Sequence, residues 1–592
     1  MVALGSKSDL LELGNYMDSL EVHESDDQLI IGLDFGTTFS GIAFAFTNAN
    51  QPEPTSILDW PGLEGFKQPK VPTILSYDPN QKTSFTWGAQ KHKHSKIEGM
   101  KLLLDPGQET PLYIPEANTA AELKKLGKPA TDVVTDYITA IYRHALNRIE
   151  TKIPAEYLKM CQKKFVVTVP AVWSAKAMNA TLLAAKQAGI HPVSLIKEPE
   201  AAALYTLRTL QDKALAVGDA FVLCDAGGGT VDLISYEITA LAPTLELKEL
   251  VTGKGGMAGS LGLNKRFAQA VQNLVGEDQF FHLRKETGFE EAMKQFDKTI
   301  KTAFRGDLEE DYYVNFPRAK LDDDAPNRLE ANCWNMKGAD VKRIFQPLIT
   351  DIERMVEDQV NLVRVKRLNE GHPKANEIKA IFLVGGFGSS EYLKQCLQTA
   401  HPKIQVIQPT DAWSAIVKGA VLSQLPEEAA ITSTVSTKHY GVSANALYDE
   451  KEDAGQPTTV HKYNGKTRVE KMYWYIHRGE DMRRDQKIIF PFKRSLADDY
   501  TPSKLIFSDD LLECSQDQAV KYPKTGVTST NCRMTADLTS VGKHHFHKKT
   551  ALDGTPYYDV HYDLVISTKT AIMKFSLEVD GEEMGSIEAS YE

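Results

Sequence analysis

Short apolar runs alternate with amphipathic segments over the first 425 residues of this chain. The runs 164–169 and 221–224 have the length and the branched, buried composition of β-strands. Between such runs, 131–150 and 341–363 repeat apolar residues at the spacing of an α-helix. Strands and helices that alternate in this way predict an α/β fold.

Local signals mark where some of these helices begin or break. The Ser174 hydroxyl can cap a helix over 175–188, which Gly189 would close. Pro347 falls inside the helical pattern of 341–363, and proline removes a backbone donor, so we expect a kink or a restart there.

From about Pro426 the pattern changes to short β-rich runs separated by polar turns, which predicts a separate β-rich domain. The first 28 residues are acidic and lack apolar periodicity, so we expect a disordered extension. The expected organisation is an extension over 1–28, a first lobe over 29–204, a second lobe with a closing helix over 205–425, and a β-rich domain over 426–592.

Composition narrows the classes of partner and compartment. The chain has 592 residues, of which 42% are hydrophobic and 25% charged, as is typical of a soluble multidomain protein. Its net charge of −11 argues against nucleic acid or an anionic membrane as the main partner. The sequence contains no run of 18 apolar residues, so no transmembrane helix is predicted. Six scattered cysteines and no secretory leader indicate a reducing compartment, so we expect a cytoplasmic location, with the nucleus as the alternative. Nothing in the pattern predicts an oligomeric state.

Two segments, 30–43 and 221–234, are variations on one pattern. Each is an apolar strand, then Asp-x-Gly, then threonine, then a second apolar strand, with the aspartates at Asp34 and Asp225. This is the pattern of a β-hairpin whose turn holds a ligand. Its glycines let backbone N–H groups approach an anion closely, and its threonines add hydroxyl donors.

Two such turns that face each other would hold a polyphosphate and its metal ion. The predicted phosphate donors are the hydroxyls or backbone amides of Gly36, Thr37, Thr38, Gly228, Gly229 and Thr230. Asp34 and Asp225 are the predicted Mg²⁺ carboxylates, acting through water, because Mg²⁺ keeps several waters and uses few protein ligands. The alternative is that these residues only form tight turns.

Five elements in order resemble the nucleotide-binding domain of the actin-like ATPase superfamily, and more narrowly the seventy-kilodalton heat-shock protein family. They are 33–40, 167–171 with 198–203, 225–232, 384–388, and the helical segment 415–422. The resemblance implies a two-lobed α/β fold with duplicated ribonuclease H-like lobes. It is strongest to the divergent, lid-less heat-shock-70-like proteins common in fungi, so we expect a β-rich C-terminal domain and no helical lid.

The resemblance also implies roles for residues that spacing alone does not select. Lys101, Glu198, Asp225, Thr230 and Asp232 match the family's catalytic positions. Lys101 would offset charge on the γ-phosphate, and Glu198 would orient the attacking water. The alternatives are a solvated lysine and a carboxylate favoured by a helix N-terminus.

The nucleotide contacts that the resemblance implies extend beyond the phosphates. They are expected at Gly36, Thr37, Thr38, Phe39, Gly227, Gly228, Gly229, Thr230, Lys301, Gly385, Gly386 and Phe387. Lys301 would serve the nucleoside, and Phe387 stands where the family has a serine.

The leading hypothesis is a chaperone-like protein that binds ATP with Mg²⁺ and hydrolyses it slowly. Its lobes would close on ATP and relax on ADP, and client or partner proteins would respond to this movement. One alternative is a small-molecule kinase of the same superfamily. Another is an interaction protein that binds nucleotide without turnover. Actin-like polymerisation is a remote fourth hypothesis.

Overall fold

The structure is a computed structural model that describes residues 25–48, 52–105, 116–209, 215–241, 244–425, 429–484, 486–568 and 571–591. The expected acidic extension therefore lies mostly outside the described residues. Its last residues, 25–28, belong to the first strand.

The described part of the first lobe has a main sheet of six strands, a small sheet formed by three strands between residues 74 and 98, and helices packed against them. Its strands are β1 (Ser25–Asp34), β2 (Phe39–Phe46), β3 (Thr55–Ser56), β4 (Val71–Pro72), β5 (Ile74–Asp78), β6 (Gln81–Trp87), β7 (Ile97–Glu98), β8 (Cys161–Val169) and β9 (Val193–Lys197). The helices are α1 (Glu116–Leu126), α2 (Ala130–Glu150), α3 (Ala155–Met160), α4 (Ala175–Gln187) and α5 (Glu198–Thr209). As predicted, the Ser174 hydroxyl caps α4 by accepting from the Ala177 N–H at 3.2 Å.

The second lobe repeats this plan. Its strands are β10 (Ala220–Ala226), β11 (Val231–Ala240), β12 (Leu245–Gly256), β13 (Asp311–Asn315), β14 (Leu329–Glu330), β15 (Cys333–Lys337), β16 (Ala380–Val384) and β17 (Gln405–Ile407). The helices are α6 (Leu261–Val275), α7 (Glu277–Leu283), α8 (Thr287–Gln295), α9 (Lys301–Ala303), α10 (Gly338–Asn369), α11 (Glu391–Ala400) and α12 (Ala415–Leu422).

The pairing of the strands makes the duplication explicit. In the first lobe β1 and β2 form an antiparallel hairpin, and β8 and β9 continue the sheet in parallel on the other side of β1. In the second lobe β10 and β11 form the hairpin, and β16 and β17 continue in parallel beyond β10. Both predicted hairpins are confirmed, and the two-lobed α/β fold with them.

Helices α5 and α12 pack against each other between the two sheets. A Cβ on Gly419 of α12 would lie 1.7 Å from the Ala201 carbonyl oxygen of α5, so only glycine permits this approach. Residues of both sheets and both helices share one buried core. The two hairpin turns are thus carried on a common, closely packed support.

Helix α10 runs without interruption through Pro347, so the expected restart does not occur. Proline cannot donate to the carbonyl four residues earlier. Arg266 compensates: its Nη2 donates to the Arg343 carbonyl at 3.3 Å and its Nε to the Ile344 carbonyl at 2.9 Å. Of the helices in the described residues, α10 included, none is long and apolar enough to cross a membrane.

The C-terminal region is built of strands. They are β18 (Ala429–Val435), β19 (His439–Leu447), β20 (Thr458–Val460), β21 (Thr467–Ile476), β22 (Asp481–Arg483), β23 (Lys487–Ala497), β24 (Ile506–Cys514), β25 (Thr528–Asp537), β26 (Phe546–Thr550), β27 (Pro556–Ser567), β28 (Lys574–Val579) and β29 (Glu582–Ser590). The described part from 429 onward contains only two short 3₁₀ turns as helical structure, 502–505 and 543–545, and no helical lid.

Two of these strands join the second lobe instead of the β-rich domain. β18 pairs in parallel with β12, and β22 pairs antiparallel with β18. The others form a separate sheet in the order β20–β21–β19–β24–β25–β29–β28–β27–β23, with β26 beside β27. The C-terminal domain is therefore tied to the second lobe by backbone hydrogen bonds.

Candidate active site

A cleft of about 860 Å³ lies between the two lobes, and both hairpin turns open into it. Most of the residues that the sequence predicts for the site line this cleft. They are Asp34, Gly36, Thr37, Thr38, Phe39, Lys101, Glu198, Asp225, Gly227, Gly228, Gly229, Thr230, Asp232, Lys301 and Gly386. Gly385 and Phe387 do not line it.

The two hairpin turns touch each other across the cleft. A Cβ on Gly228 would lie 2.2 Å from Thr38 Oγ1, and one on Gly229 would lie 3.4 Å from Thr37 Cγ2. A side chain at Gly228 would therefore collide with the opposite turn. The repeated sequence pattern thus forms a pair of facing turns, and the spacing between them requires glycine at position 228.

Gly385 supports the second turn from behind. Its φ is +88°, and a Cβ on it would lie 2.3 Å from Asp225 Oδ1 and 2.5 Å from the Ala226 carbonyl oxygen. The residue keeps room for the Asp225 carboxylate at the end of β10.

The side chain of Phe387 points away from the cleft. It is buried in the core of the second lobe, with its ring centroid 6.0 Å from that of Phe345. Its backbone N–H donates to the Ala226 carbonyl at 2.8 Å, which fixes the glycine-rich turn against the second hairpin.

Lys101 and Glu198 form a buried ion pair at the floor of the cleft. Lys101 lies in the 3₁₀ turn 100–104, and its Nζ is 2.5 Å from Glu198 Oε1 at the start of α5. The same Nζ lies 5.3 Å from the centre of the Trp173 ring. The solvated-lysine alternative is excluded by this burial, since Lys101 is only 2% exposed.

Asp34 is held by two partners that the sequence did not assign to it. Lys70 Nζ lies 2.6 Å from Asp34 Oδ2, and the Thr168 hydroxyl donates to Oδ1 at 3.1 Å. Thr168 belongs to the strand segment 167–171 of the family resemblance, so its position at the end of β8 was a usable signal. Lys70 lies outside every motif.

Burial dominates the electrostatics of the remaining carboxylates. It raises the pKa of Glu198, although the Lys101 charge opposes the shift. Burial, reinforced by the Glu198 and Asp232 charges, raises the pKa of Asp225 well above its usual range. Burial and the Glu198 charge raise the pKa of Asp232 to about 7, against a hydrogen bond from the Thr230 hydroxyl at 3.0 Å.

These carboxylates fit a hydrated cation. Among the described residues, no three His, Cys, Asp or Glu side chains converge as a ready-made metal site. Asp225 Oδ1 is buried, however, and has no hydrogen-bond partner in the described part of the chain. Mg²⁺ uses few protein ligands and keeps its waters. A buried carboxylate oxygen without a partner, close to other carboxylates, therefore suits this ion. Asp34 is already neutralised by Lys70, which makes Asp225 the better of the two predicted ligands.

The far end of the cleft carries a polar cluster around Lys301. Lys301 Nζ forms an ion pair with Asp297 and lies 3.2 Å from Asn264 Oδ1. Asn264 in turn donates to Asp297 at 3.0 Å. Asn264 and Asp297 line the cleft but were not predicted. Asp297 stands four residues before Lys301, a helical spacing that the sequence shows, whereas Asn264 comes from α6 and no local pattern reveals it.

Two aromatic rings close the cleft beside the first turn. Phe39 and Trp413 meet edge to face with ring centroids 5.5 Å apart. Phe39 was predicted and Trp413 was not, since it stands in the loop before α12, where the sequence shows only an isolated aromatic residue.

A protein-family model described as Hsp70 protein matches residues 118–429, more than half of the chain. The chain belongs to the Hsp70 family. The match begins at residue 118 and ends at Ala429, the first residue of β18, so it spans the later half of the first lobe and the whole second lobe and leaves β1–β7 and the β-rich domain outside. The family and the two-lobed fold that the sequence predicts are therefore confirmed.

Individual Hsp70-family proteins match this chain at modest sequence identity. The chain is 26% identical over 511 residues to heat shock 70 kDa protein 12A of Mus musculus, covering 71% of this chain and 73% of that protein. It is 25% identical over 485 residues to heat shock 70 kDa protein 12B of Homo sapiens, covering 67% and 68%. Chaperone protein DnaK of Stenotrophomonas maltophilia matches at 27% over 241 residues, only 40% of this chain and 33% of that protein. This Hsp70-family member is thus a divergent one.

Proposed function

We propose that this protein binds Mg-ATP in the interlobe cleft, hydrolyses it slowly to ADP and phosphate, and passes the state of the nucleotide to its C-terminal domain. The observation that carries the proposal is the contact between the two hairpin turns, in which Gly228 meets Thr38. Turns of this composition, facing each other at this spacing, are suited to hold a polyphosphate from both sides.

The phosphates would be bound by hydroxyl and backbone donors of the two turns that line the cleft. The hydroxyls of Thr37, Thr38 and Thr230 and the backbone amides of Gly36, Gly228 and Gly229 supply them, beside Phe39 and Gly227. Lys301, with Gly386 opposite, would bind the nucleoside end. Gly385 and Phe387 would act through the backbone of their turn.

Asp225, with Asp34, would hold Mg²⁺ through its waters, and the ion would supply neutralisation of phosphate charge. Lys101 is placed to offset charge that develops on the transferred phosphoryl group. Glu198, bound to Lys101, would orient the attacking water. Asp232, whose pKa near 7 lets it accept a proton at neutral pH, would help to position that water.

The two lobes around the cleft would take different relative positions when ATP or ADP is bound. β18 and β22 extend the second-lobe sheet, so a rotation of that lobe would carry the C-terminal domain with it. We propose that the domain presents this movement to client or partner proteins, which makes the function chaperone-like. The six cysteines are unpaired, in keeping with a reducing compartment such as the cytoplasm.

Calorimetric titration of the full chain with ATP and ADP tests the binding step. We expect a Kd of about 10 µM or lower, equivalent to about −7 kcal/mol, in the presence of Mg²⁺. An absence of heat at protein concentrations well above that Kd would refute the proposal.

Release of phosphate tests the catalytic step. Lys101→Met and Glu198→Gln should each slow single-turnover hydrolysis about a hundredfold with a much smaller change in ATP affinity, because both act on the transition state. Glu246→Gln, a half-buried glutamate on β12, is the matched control and should match wild type. Binding without any phosphate release would favour the non-catalytic interaction protein. Transfer of phosphate to an added sugar would favour the kinase.

A further inference from the structure

One ion pair joins the C-terminal region to the first turn of the connecting helix α5. Arg484 Nη2 donates to Glu200 Oε1 at 2.5 Å, although the residues are 284 positions apart in sequence. Glu200 is completely buried and the Arg484 side chain mostly so. A charged pair in such a place is costly to bury, so its geometry is held by what surrounds it.

Glu200 shares its helical turn with the active site. Helix α5 begins at Glu198, whose carboxylate lies against Lys101 in the cleft, and Pro199 separates the two glutamates. Helical geometry places residues two apart on different faces. The first turn of α5 is thus bound on one side by Lys101 and on another by Arg484.

Arg484 is fixed at its other end to the docked strands. Its backbone N–H donates to the Thr432 carbonyl of β18 at 2.9 Å. The neighbouring Asp481 of β22 pairs with Lys248 at 2.6 Å and Lys366 at 2.8 Å, both in the second lobe. Arg484 therefore reaches α5 from the position directly after β22, a strand that is itself bound to the second-lobe sheet.

The pair has unused bonding capacity. In the described residues neither Glu200 Oε2 nor Arg484 Nε has a hydrogen-bond partner. Removing either charge would leave the other buried with little to replace it.

We propose that Arg484 is a positioning residue, through which the C-terminal region holds the Glu198–Pro199 turn of α5 in its catalytic position. Loss of the pair releases the first turn of α5 and lets Glu198 move away from Lys101. The inference rests on the proposed ATPase function for its effect on turnover, but its structural part does not.

Hydrogen exchange of the full chain without nucleotide tests the structural part. Arg484→Met keeps the unbranched apolar stem of the side chain and removes the charged guanidinium group. The backbone amides within 198–202, where Pro199 has none, should exchange about tenfold faster than in wild type, because the local opening that exposes them costs less free energy. Arg494→Met removes an arginine that pairs with Asp509 inside the β-rich domain, and should leave these amides unchanged.

Turnover tests the consequence. Arg484→Met and Glu200→Gln should each lower kcat about fivefold or more while the KM for ATP changes less than about twofold. Because the two residues act as one unit, the double variant should be no slower than the slower single variant. Arg484→Lys should recover part of the rate.

The two readouts separate the inference from the function on which it rests. Unchanged exchange at 198–202 in both Arg484→Met and Glu200→Gln would overturn the inference, whatever the protein does with ATP. Effects on kcat that multiply in the double variant would overturn it as well. A wild-type chain that fails to bind ATP, with exchange at 198–202 still accelerated by Arg484→Met, would refute the ATPase and leave the positioning role standing. Glu200→Gln and Arg484→Lys keep the test decisive if Arg484→Met does not fold.

Discussion

Gly228 and Thr38 lie in contact across the interlobe cleft, close enough that a Cβ on the glycine would fall 2.2 Å from the threonine hydroxyl oxygen. The two residues come from the two copies of the hairpin, in β10–β11 and β1–β2. A methyl group added at Gly228 would therefore press directly on the opposite turn.

Gly228→Ala should weaken ATP binding about tenfold or more, which corresponds to about 1.4 kcal/mol. The added methyl group pushes the turns apart, and the phosphate donors of the two turns no longer converge. Titration with a fluorescent ATP analogue measures the effect.

A double variant controls for this explanation. Thr38→Ala removes the hydroxyl and methyl groups of Thr38 that lie nearest to the position the new methyl group of Gly228→Ala would take, and it costs one hydroxyl donor by itself. If the collision is the cause, Gly228→Ala should weaken ATP binding less in the Thr38→Ala background than in wild type, because only the Thr38 Cβ, 3.0 Å away, then remains in its path. Fully additive losses would show that the glycine matters for another reason.

Removal of Mg²⁺ should weaken ATP binding at least about tenfold, and Lys70 should set part of that dependence. Lys70 neutralises Asp34 at 2.6 Å, so Lys70→Met leaves a buried carboxylate in need of a cation. The ratio of Kd in EDTA to Kd in Mg²⁺ should therefore rise in Lys70→Met and fall in Asp225→Asn. Calorimetric titrations in the two buffers give this ratio.

Lys128→Met is the matched control for Lys70→Met. Lys128 forms an ion pair of similar length, 2.7 Å, with Asp136, away from the cleft. In Lys128→Met the ratio of the ATP Kd in EDTA to that in Mg²⁺ should equal the wild-type ratio. A ratio in Lys70→Met that is also unchanged would mean that Asp34 takes no part in holding the metal.

The parts of the site that the sequence could predict are those that a local pattern encodes. Asp34, Asp225 and the glycines between strands form each turn within a few residues, so both hairpins followed from the pattern, and the proposed phosphate site rests on them. Lys101 has no such pattern and was assigned only by family resemblance, which its burial against Glu198 supports.

The parts that escaped prediction depend on residues that are distant in sequence. Lys70 reaches Asp34 from a loop without a motif, and Arg484 reaches Glu200 from another part of the chain. The helix through Pro347 was unpredictable for the same reason, since Arg266 satisfies the carbonyl that proline leaves unpaired. Tertiary contacts override local preference in each case.

Glu249 should make the stability of the protein depend on pH. It is buried between the second lobe and β18, where its Oε2 accepts from the Val435 N–H at 3.1 Å. Burial raises its pKa from 4.5 to about 7, against the opposing charge of Lys197. Between these values the folded protein keeps a proton that the unfolded chain has lost, so its contribution is complete below pH 4.5 and is lost as pH rises to 7.

The loss amounts to about 3 kcal/mol across that window. Glu249→Gln should therefore flatten the decline in the free energy of unfolding between pH 5 and pH 7.5, as measured by denaturant titration. Glu246→Gln, on the same strand but half-buried, should keep the wild-type slope. Equal slopes of unfolding free energy against pH for wild type and Glu249→Gln would contradict the assignment of this pH dependence to Glu249.

Arg367 should be among the most costly residues to replace in the second lobe. It is fully buried on α10, where its guanidinium donates to the carbonyls of Gly218 at 2.6 Å and Glu377 at 2.9 Å and pairs with Glu237 at 3.2 Å. Arg367→Met would leave those acceptors without their donor, and breaking a buried pair from one side costs about 3–5 kcal/mol. Arg354→Met is the control on the same helix, because its pair with Asp351 is exposed and exposed pairs contribute at most about 1 kcal/mol. Denaturant unfolding of the two variants should thus differ by several kcal/mol in free energy, and equal losses would mean that the buried arginine is held by packing alone.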